Sequence, residues 1–496
     1  MGKVYYNGNV ITMENEETAE YVLINGDRIE SVGKGDIPKA DEYTDLNGKT
    51  IMPAFIDPHS HMTSVAMSFL KVQLDDAESV EEVLDRIKKF IEENKKENSW
   101  ISAMGYDNNS LAEKRHITAK ELDGISGSNA VVIQHKSGHS GIFNTEAAKR
   151  LNIRTKDGLL EESEYINILK NIPMENGEAL MNAYDKAQNL YFSYGITTAQ
   201  EGYALGQLLP IYRKLVESGI LKIDLNLYPD IDSYDKWQNA FPLSIENYNE
   251  NIKIAGLKIM LDGSPQGGTA WVSEPYTGGG NGFSAMTDNE VDKALKWAKE
   301  RNMQVIAHCN GDMACGQFID TVGRNGNRNA VMIHAQLLRR DQLKKVKEYG
   351  IIPSFFIAHV FYWGDVHIKN FGIKRASAIS PAKSALDEKI MFTFHQDAPV
   401  VEPDMFKTIW CAVKRQTKSG IILGEEERID VLNALKAVTV NAAVQYSEQG
   451  EKGSLKEGKL ADMIIIDRNP FETDIDGLKD IKILETIKGG VTVYRA

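Results

Sequence analysis

The sequence predicts an α/β protein whose centre is a TIM-like (β/α)8 barrel. Short apolar runs alternate along the chain with amphipathic segments of helical periodicity, such as residues 79–97 and 288–302. Near-continuous apolar runs between helices are typical of parallel strands covered on both faces. An open doubly wound sheet is the other α/β arrangement, but the chain has no glycine-rich phosphate loop to support it. Eight runs predict the barrel strands, at residues 50–61, 194–202, 221–229, 254–263, 303–312, 329–336, 350–359 and 389–399.

The two ends of the chain differ from the central part, because their pattern predicts short strands separated by turn pairs such as Asn-Gly. Because the termini of a domain often lie close together, residues 1–52 and 451–496 predict one small β-sandwich domain, with the barrel at residues 53–450. The stretch from about 66 to 190 is too long for one βα connection, which normally needs about 2–6 loop residues and a helix. It predicts an insertion after the first barrel strand that caps the barrel mouth.

Composition excludes several classes of partner. The 496 residues include 57 Lys and Arg against 70 Asp and Glu, a formal net charge of −13. An acidic chain without a long basic run is not expected to bind nucleic acid or an anionic membrane. No stretch approaches the roughly 18 apolar residues of a membrane span, and the N-terminus lacks the layout of a signal peptide. Three cysteines (Cys309, Cys315 and Cys411) cannot build a disulfide framework and favour a reduced, cytoplasmic protein.

Candidate metal ligands lie near the ends of several predicted barrel strands. In "IDPHSHMT", two histidines are separated by one residue, so on a strand both imidazoles point to the same side. The carboxyl ends of all strands of a (β/α)8 barrel meet at one mouth, so donors on different strands can converge there. Neutral imidazoles and carboxylates suit Zn²⁺ and related divalent ions. The candidates are His59, His61, Lys258, His308, His334 and Asp397.

This order of residues resembles the metal-dependent amidohydrolase superfamily over nearly the whole chain. The shared features are a His-x-His on the first strand, a lysine on the fourth, single histidines on the fifth and sixth, and an aspartate on the eighth. The phrase "GSLKEGKLADMIIID" is similar to the family's C-terminal return to a β-sandwich. The phrases "SGHSGIFN", "GITTAQEG", "LDGSPQGGTAWVSEPY" and "HQDAPV" resemble the branch that contains N-substituted formamide deformylase, amidohydrolase family 3.

The resemblance implies that the six candidates bind one or two divalent metal ions, with Zn²⁺ expected. A protonated lysine cannot ligate a metal, and family members with a lysine at this position carry it carboxylated by CO₂ as an anionic bridge between two metals. The same modification is therefore expected at Lys258, which requires a neutral amine of depressed pKa. Glu201, at the end of an earlier strand, is the alternative bridging carboxylate, and Asp262 could compete with Lys258 as an oxygen ligand.

The residue types predict hydrolysis. A bound metal lowers the pKa of its water from about 15.7 towards 7 and polarises a substrate carbonyl. Asp397 is expected to accept the proton of that water as general base and to pass it to the leaving nitrogen as general acid.

Further histidines and one arginine are predicted to line the pocket. The expected substrate-binding residues are His135, His139, His359 and Arg415, the last for a substrate carboxylate. Each has a structural alternative, since loop histidines and solvated arginines are common. His395 is expected to contact the ligand side chains or to pack beside them, without binding the metal itself. His116 and His367 lie in charged stretches and are expected at the surface.

The predicted function is a metal-dependent hydrolase of amide-type C–N bonds other than peptide bonds, acting on small N-substituted formamides or N-acyl amines. A cyclic-amide ring-opening hydrolase and a deaminase are alternatives on the same scaffold. Deaminases of the superfamily usually lack the fourth-strand lysine and carry a glutamate soon after the sixth strand, whereas "HAQLLRRDQ" has none. An inactive, metal-free binding protein is a further alternative, although no ligand position is visibly degraded. A homodimer is expected.

Overall fold

A computed structural model of the chain describes residues 2–14, 18–94, 97–108, 110–135, 140–169, 171–172 and 177–496. The chain divides into two compact units, one of residues 63–187 and one of residues 1–62 and 188–496. The domain limits that the sequence predicts, near residues 52 and 450 and around an insertion at about 66–190, remain a proposal.

The strands are short, and those of the larger unit fall into a terminal set and a central set. In chain order they are β1 (Gly2–Ile11), β2 (Thr18–Asn25), β3 (Arg28–Gly33), β4 (Glu42–Asp45), β5 (Thr50–Pro53), β6 (Phe55–Ile56), β7 (Lys71–Gln73), β8 (Trp100–Tyr106), β9 (Ala130–His135), β10 (Ser140–Phe143), β11 (Leu159–Glu161), β12 (Ile196–Ala204), β13 (Asp224–Pro229), β14 (Ile252–Ile254), β15 (Gly256–Met260), β16 (Gln304–Cys309), β17 (Val331–His334), β18 (Ile352–Phe355), β19 (Thr393–Phe394), β20 (Met463–Ile466), β21 (Ile483–Lys488) and β22 (Val491–Arg495).

Helices separate the central strands, as the alternating pattern predicts. In chain order they are α1 (Met62–Ser68), α2 (Val80–Glu93), α3 (Ala119–Ser126), α4 (Thr145–Leu151), α5 (Glu162–Leu169), α6 (Gly177–Ser193), α7 (Leu209–Ser218), α8 (Tyr234–Ala240), α9 (Asp288–Glu300), α10 (Asp312–Asn325), α11 (Arg340–Glu348), α12 (His359–Ser377), α13 (Ala382–Asp387), α14 (Met405–Lys414), α15 (Val431–Ala437) and α16 (Val440–Gln445). Short 3₁₀ turns lie at Gly206–Leu208, Pro242–Ser244, Glu425–Glu427 and Ile475–Asp480.

Local sequence signals set where helices begin. The Ser79 side chain accepts a hydrogen bond from the backbone of Glu82 and caps α2. Thr287 and Glu290 form a reciprocal capping box at the start of α9. Such side chains satisfy amide groups that have no partner inside the helix, which explains why both predicted helices start at these residues.

The central strands form a TIM-barrel-like array of parallel strands. One run has the order β14-β13-β12-β6 and the other the order β15-β16-β17-β18-β19, and each neighbouring pair in them is parallel. The predicted fourth strand is divided at Ala255, so that β14 pairs with β13 and β15 pairs with β16. The buried core here includes Ile56, Tyr228, Ile306, Val331, Ile333 and Ile352.

The two chain ends share one sheet of eight strands, in the order β22-β21-β20-β5-β1-β2-β3 with β4 paired to β1. The predicted first barrel strand at 50–61 is therefore two elements: β5 pairs with β20 of the terminal sheet, and β6 pairs with β12 of the barrel. Pro53, the last residue of β5, has no backbone N–H to continue a ladder, which suits a point where the chain leaves one sheet for another. The packing of this sheet as a β-sandwich domain stays a prediction.

The unit of residues 63–187 has a sheet of its own in the order β11-β10-β9-β8-β7. Its apolar core lies between this sheet and neighbouring helices and includes Val83, Ile87, Ile101, Leu122 and Ile133. Within the described part of the chain, we find no helix that is both long and apolar enough to cross a bilayer.

Candidate active site

Three of the predicted ligands form one compact cluster. The candidate ligand atoms of His59, His61 and Asp397 all lie within 4.8 Å of one another. Asp397 Oδ1 is 3.2 Å from His61 Nε2 and 3.4 Å from His59 Nε2. Residues that follow β6 and β19 therefore meet at one point, although 336 positions separate His61 from Asp397 in the chain (397 − 61).

The backbone fixes this meeting point. The His61 N–H donates to the Ala398 carbonyl at 2.9 Å, which links the segment after β6 to the segment after β19. Asp397 and His334 have φ values of 58° and 72°, in the left-handed region that non-glycine residues seldom adopt. Such conformations cost about 1–3 kcal/mol each and are concentrated at functional sites, where they redirect a side chain.

The other three candidates lie beside this cluster. Lys258 Nζ is 3.4 Å from His59 Nε2, and His334 Nε2 is 4.0 Å from Asp397 Oδ2. The ring centroid of His308 is 4.5 Å from that of His334. The structure thus brings all six predicted positions to one end of the barrel.

The charge states of these groups suit a cation. Burial lowers the pKa of His59 well below its usual range, and the Lys258 ammonium adds to the effect. Burial likewise lowers the pKa of His334, with a further contribution from His308. Burial alone would raise the pKa of Asp397, but its contacts with His61 and the other imidazoles hold it well below the usual range. Burial therefore favours the neutral form of His59 and His334, and the surroundings of Asp397 favour its ionised form.

A metal ion also fits the hydrogen-bonding pattern. Asp397 Oδ1 is buried and accepts no hydrogen bond from the described residues, although two imidazole nitrogens are nearby. Buried acceptors without a donor are costly unless something positive lies between them. Burial lowers the pKa of Lys258 to about 8, so a fraction of this amine is neutral near neutral pH.

Three of the histidine candidates, His59, His308 and His334, each have a polar partner at Nδ1. His59 Nδ1 is 2.5 Å from Gln200 Oε1, and His308 Nδ1 is 3.2 Å from Asp262 Oδ1. His334 Nδ1 is 3.1 Å from His395 Nε2. Such outer partners set the tautomer and orientation of a metal-binding imidazole.

Sequence reasoning missed Gln200. The only signal near it was the neighbouring Glu201, because a glutamine in an apolar strand has no distinctive chemistry. Glu201 itself is 2% exposed, lies 3.9 Å from His61 Nδ1 and accepts a hydrogen bond from the Tyr212 hydroxyl at 2.9 Å. Its position is compatible with the alternative bridging role.

Asp262 and His395 lie behind the ligands. Both Asp262 oxygens are engaged: Oδ1 faces His308 and accepts from the Asn310 N–H, and Oδ2 accepts from the N–H groups of Gly311 and Trp271. Asp262 therefore holds the following loop and orients His308, which disfavours the alternative that it replaces Lys258 as a ligand. The other ring nitrogen of His395 contacts the Ser354 hydroxyl at 2.9 Å.

His359 follows the seventh strand and is buried next to aromatic rings. Its ring centroid is 4.6 Å from that of Phe356 and 4.5 Å from that of Trp363. Its Nδ1 is 3.0 Å from Nε2 of His367, which has no solvent exposure. The expectation that His367 lies at the surface is wrong, because His367 lies on the buried face of α12 together with His359 and Gly364.

Arg415 does not have the predicted substrate-binding role. The residue has no solvent exposure, and its guanidinium donates to the backbone carbonyls of Leu423, Ser380, Ser377 and Ile379. These bonds use the donors that a substrate carboxylate would need. Arg415 instead ties the end of α14 to two neighbouring loops.

Two of the predicted substrate contacts belong to residues 63–187. His135 packs its ring against Tyr106, with centroids 5.4 Å apart, and its Nε2 is 3.5 Å from Asp107 Oδ1. His116, expected at the surface, is half-buried and bonds the Tyr106 hydroxyl through Nδ1 at 2.6 Å. His139 lies outside the described residues, so its predicted contact with substrate stays a prediction, as does that of His135.

Comparisons with known proteins show which proteins this chain resembles. The chain is 24% identical to YtcJ of Bacillus subtilis (strain 168), named as an amidohydrolase, over 100% of this chain and 99% of the relative. It is 24% identical to N-substituted formamide deformylase of Arthrobacter pascens, over 98% of this chain and 97% of that enzyme. A crystal structure of an uncharacterized metal-dependent hydrolase from Pyrococcus horikoshii OT3 matches with a TM-score of 0.82 and 25% identity, over 96% of this chain and 99% of the other.

The pattern that characterises the amidohydrolases matches most of the sequence, from residue 42 to residue 494. Members of this group are hydrolases, and a divalent metal agrees with the His59, His61 and Asp397 cluster and with the metal-dependent structural neighbour. The chain belongs to the Amidohydrolase family.

Proposed function

We propose that the protein is a metal-dependent hydrolase of amide-type C–N bonds, acting on N-substituted formamides or N-acyl amines. The observation that carries this proposal is the convergence of His59, His61 and Asp397 at the end of the barrel in a chain of this family. The substrate class is proposed by analogy with the deformylase relative, which is 24% identical over nearly the full length of both chains.

Roles for the residues follow from their chemistry. A divalent cation, Zn²⁺ by its preference for imidazole and carboxylate, supplies an acidified water and a Lewis acid when bound. His59, His61, His308 and His334 offer imidazole nitrogens as ligands. Asp397 is ionised and lies at the centre of the cluster, so it can take a proton from the attacking water and deliver it to the leaving nitrogen.

Lys258 is proposed to be carboxylated and to bridge two metal ions. Its Nζ lies 3.4 Å from His59 Nε2, so a carboxyl group on this nitrogen would extend into the cluster. Intact mass measurement under CO₂ and Lys258→Ala with added short carboxylic acids test this. An intact mass equal to that of the unmodified chain, together with an active Lys258→Ala variant, would favour one metal or the Glu201 alternative.

Aromatic side chains packed beside the ligands support a substrate with an apolar substituent. The ring of Phe356 lies 6.2 Å from that of His334 and 5.9 Å from that of Trp363, which is half-buried. His359 lies between these aromatic rings and is proposed to contact the substrate. We therefore expect N-benzyl substrates to have a lower KM than N-methyl substrates.

The central experiment is a hydrolysis screen of Zn²⁺-reconstituted protein against N-formyl amines, N-acyl amines and cyclic amides. Release of formate from a substituted formamide is the expected result. Opening of cyclic amides alone would favour the ring-opening hydrolase, and ammonia release from an aminated ring would favour a deaminase. Protein that binds Zn²⁺ but cleaves none of the panel would contradict the proposed substrate class, and protein that binds no metal would favour an inactive binding protein.

We also propose a small-molecule substrate rather than nucleic acid as partner, a homodimer and a cytoplasmic location. Three reduced, buried cysteines support the last of these. Size-exclusion chromatography with light scattering tests the dimer.

A further inference from the structure

The side-chain amide of Gln200 is held in one orientation. Its Nε2 donates to the Pro58 carbonyl at 3.0 Å and to the Tyr446 hydroxyl at 3.0 Å. The Tyr446 hydroxyl in turn donates to the Asp57 carbonyl at 2.8 Å, so it is free to accept from Gln200. A carbonyl can only accept, so the NH₂ group must face Pro58, and the amide oxygen must face His59.

This orientation determines the tautomer of His59. The amide oxygen of Gln200 lies 2.5 Å from His59 Nδ1, and an oxygen of this kind accepts but does not donate. A neutral imidazole has one N–H and one lone pair, so the proton must be on Nδ1 and the lone pair on Nε2. That lone pair faces Lys258 and Asp397, at 3.4 Å from each.

Strand β12 also makes room for this ring. A Cβ atom at Gly202 would lie 2.4 Å from His59 Cε1 and 2.8 Å from Nδ1. The Gly202 N–H donates to the Ser60 carbonyl at 2.8 Å, which holds β12 against the segment that carries His59. Both the amide at position 200 and the missing side chain at position 202 therefore serve one imidazole.

We propose that Gln200 is a positioning residue that fixes the Nδ1–H tautomer of His59 and so directs Nε2 to the divalent cation. The proposal rests on the metal-dependent function above. Loss of such an outer partner typically weakens metal binding about 10- to 100-fold. Gln200 is fully buried, and among the six candidate ligands its amide contacts only His59, so its effect on the cation passes through His59.

The test compares Gln200→Leu with Gln445→Leu. Gln445 is also fully buried and donates to the same Pro58 carbonyl at 2.8 Å, but it contacts no imidazole in the described structure. Zn²⁺ affinity is measured by competition with a chromogenic chelator. We expect a dissociation constant raised about 10- to 100-fold for Gln200→Leu and little changed for Gln445→Leu. Equal effects in both variants, or none in Gln200→Leu, would overturn the proposal.

A spectroscopic measurement is independent of folding defects in the leucine variant. Long-range ¹H–¹⁵N spectra of ¹⁵N-histidine-labelled, metal-free protein identify the tautomer of each neutral imidazole, and His59→Ala assigns the signal. We expect His59 to be Nδ1–H in the wild type and in Gln200→Glu, whose carboxylate still accepts from Nδ1. An Nε2–H signal in the wild type refutes the proposal. If the protein hydrolysed none of the amides in the screen, the proposed substrate class would be refuted. The proposal for Gln200 would stand, because neither the Zn²⁺ affinity nor the histidine spectrum uses a substrate.

Discussion

Among the places that bury charged side chains, two differ in how those charges are matched. At the carboxyl ends of the strands, Asp397 Oδ1 faces two imidazole nitrogens and accepts no hydrogen bond from the described residues. Near the start of β13, Asp224 instead contacts two ammonium groups, Lys452 at 2.5 Å and Lys488 at 2.8 Å. Burial of charge is common to both places, so burial alone does not mark a functional site.

The second place, which we call the paired cluster, comprises Asp224, Lys253, Glu448, Lys452 and Lys488. Lys452 also lies 3.2 Å from Glu448, and Lys253 bonds Glu448 directly. Burial alone would raise the pKa of Asp224, but Lys452 and Lys488 more than offset this, so its pKa lies below the usual value. The carboxylates of the paired cluster face ammonium groups of this chain, whereas Asp397 faces imidazoles, an arrangement that suits a cation from outside the chain.

Removal of metal is expected to have the largest effect. Chelation should abolish hydrolysis, and Zn²⁺ should restore it, because the unmatched acceptors depend on that ion. The double variant His59→Ala/His61→Ala should stay inactive after Zn²⁺ is added. Activity is measured as release of amine or formate, with metal content by elemental analysis. Full activity in protein shown to hold no metal would mean that the candidate active site does not depend on a cation, and it would contradict the difference described between the two places.

Asp397→Asn is expected to lower kcat by about 100- to 10,000-fold, since an amide cannot accept the proton of the attacking water. Metal content is measured beside the steady-state rate, so that loss of the ion is separated from loss of the base. Asp224→Asn is the matched control, a buried aspartate whose loss should leave kcat of the folded protein unchanged. Similar rates in both variants would count against the role of Asp397.

Lys452→Met is expected to destabilise the fold by about 3–5 kcal/mol, because it leaves Asp224 and Glu448 buried with less opposite charge. Urea denaturation gives the change in the free energy of unfolding. Lys345→Met breaks an exposed pair with Asp320 and should cost only about 0–1 kcal/mol. If the two substitutions had equal cost, the paired cluster would not be a structural element.

The smallest expected effect is in the acid dependence of stability. The pKa of Asp224 is lowered in the folded state, so its contribution is present above the unfolded value of about 3.9 and is lost as pH falls through the folded value. The free energy of unfolding should therefore fall less steeply between about pH 4 and pH 2 in Asp224→Asn than in the wild type. Parallel curves for the two proteins would show that Asp224 is not stabilised in its ionised form.

Much of the fold could be predicted because periodicity is a local property. The eight apolar runs became parallel strands, and Ser79 and Thr287 began helices as capping residues. The division of 50–61 between two sheets could not be predicted, because its apolar residues suit either partner and only the pairing of β5 with β20 separates them.

The candidate site shows the same limit. Histidines, a lysine and an aspartate at strand ends are visible in the sequence because few other residue types bind metals. Gln200 and the buried His367 were missed, and Arg415 was assigned wrongly, because the partners of these residues come from distant segments.

By itself, the sequence determined the alternation of strands and helices, the family and the set of groups able to hold a cation, because these depend on residue type and spacing. Only the tertiary structure decided which buried charges lack a partner and which nitrogen of His59 is free to bind. The physical reason is that protonation and pairing depend on neighbours within a few ångströms, and those neighbours are far apart in the chain.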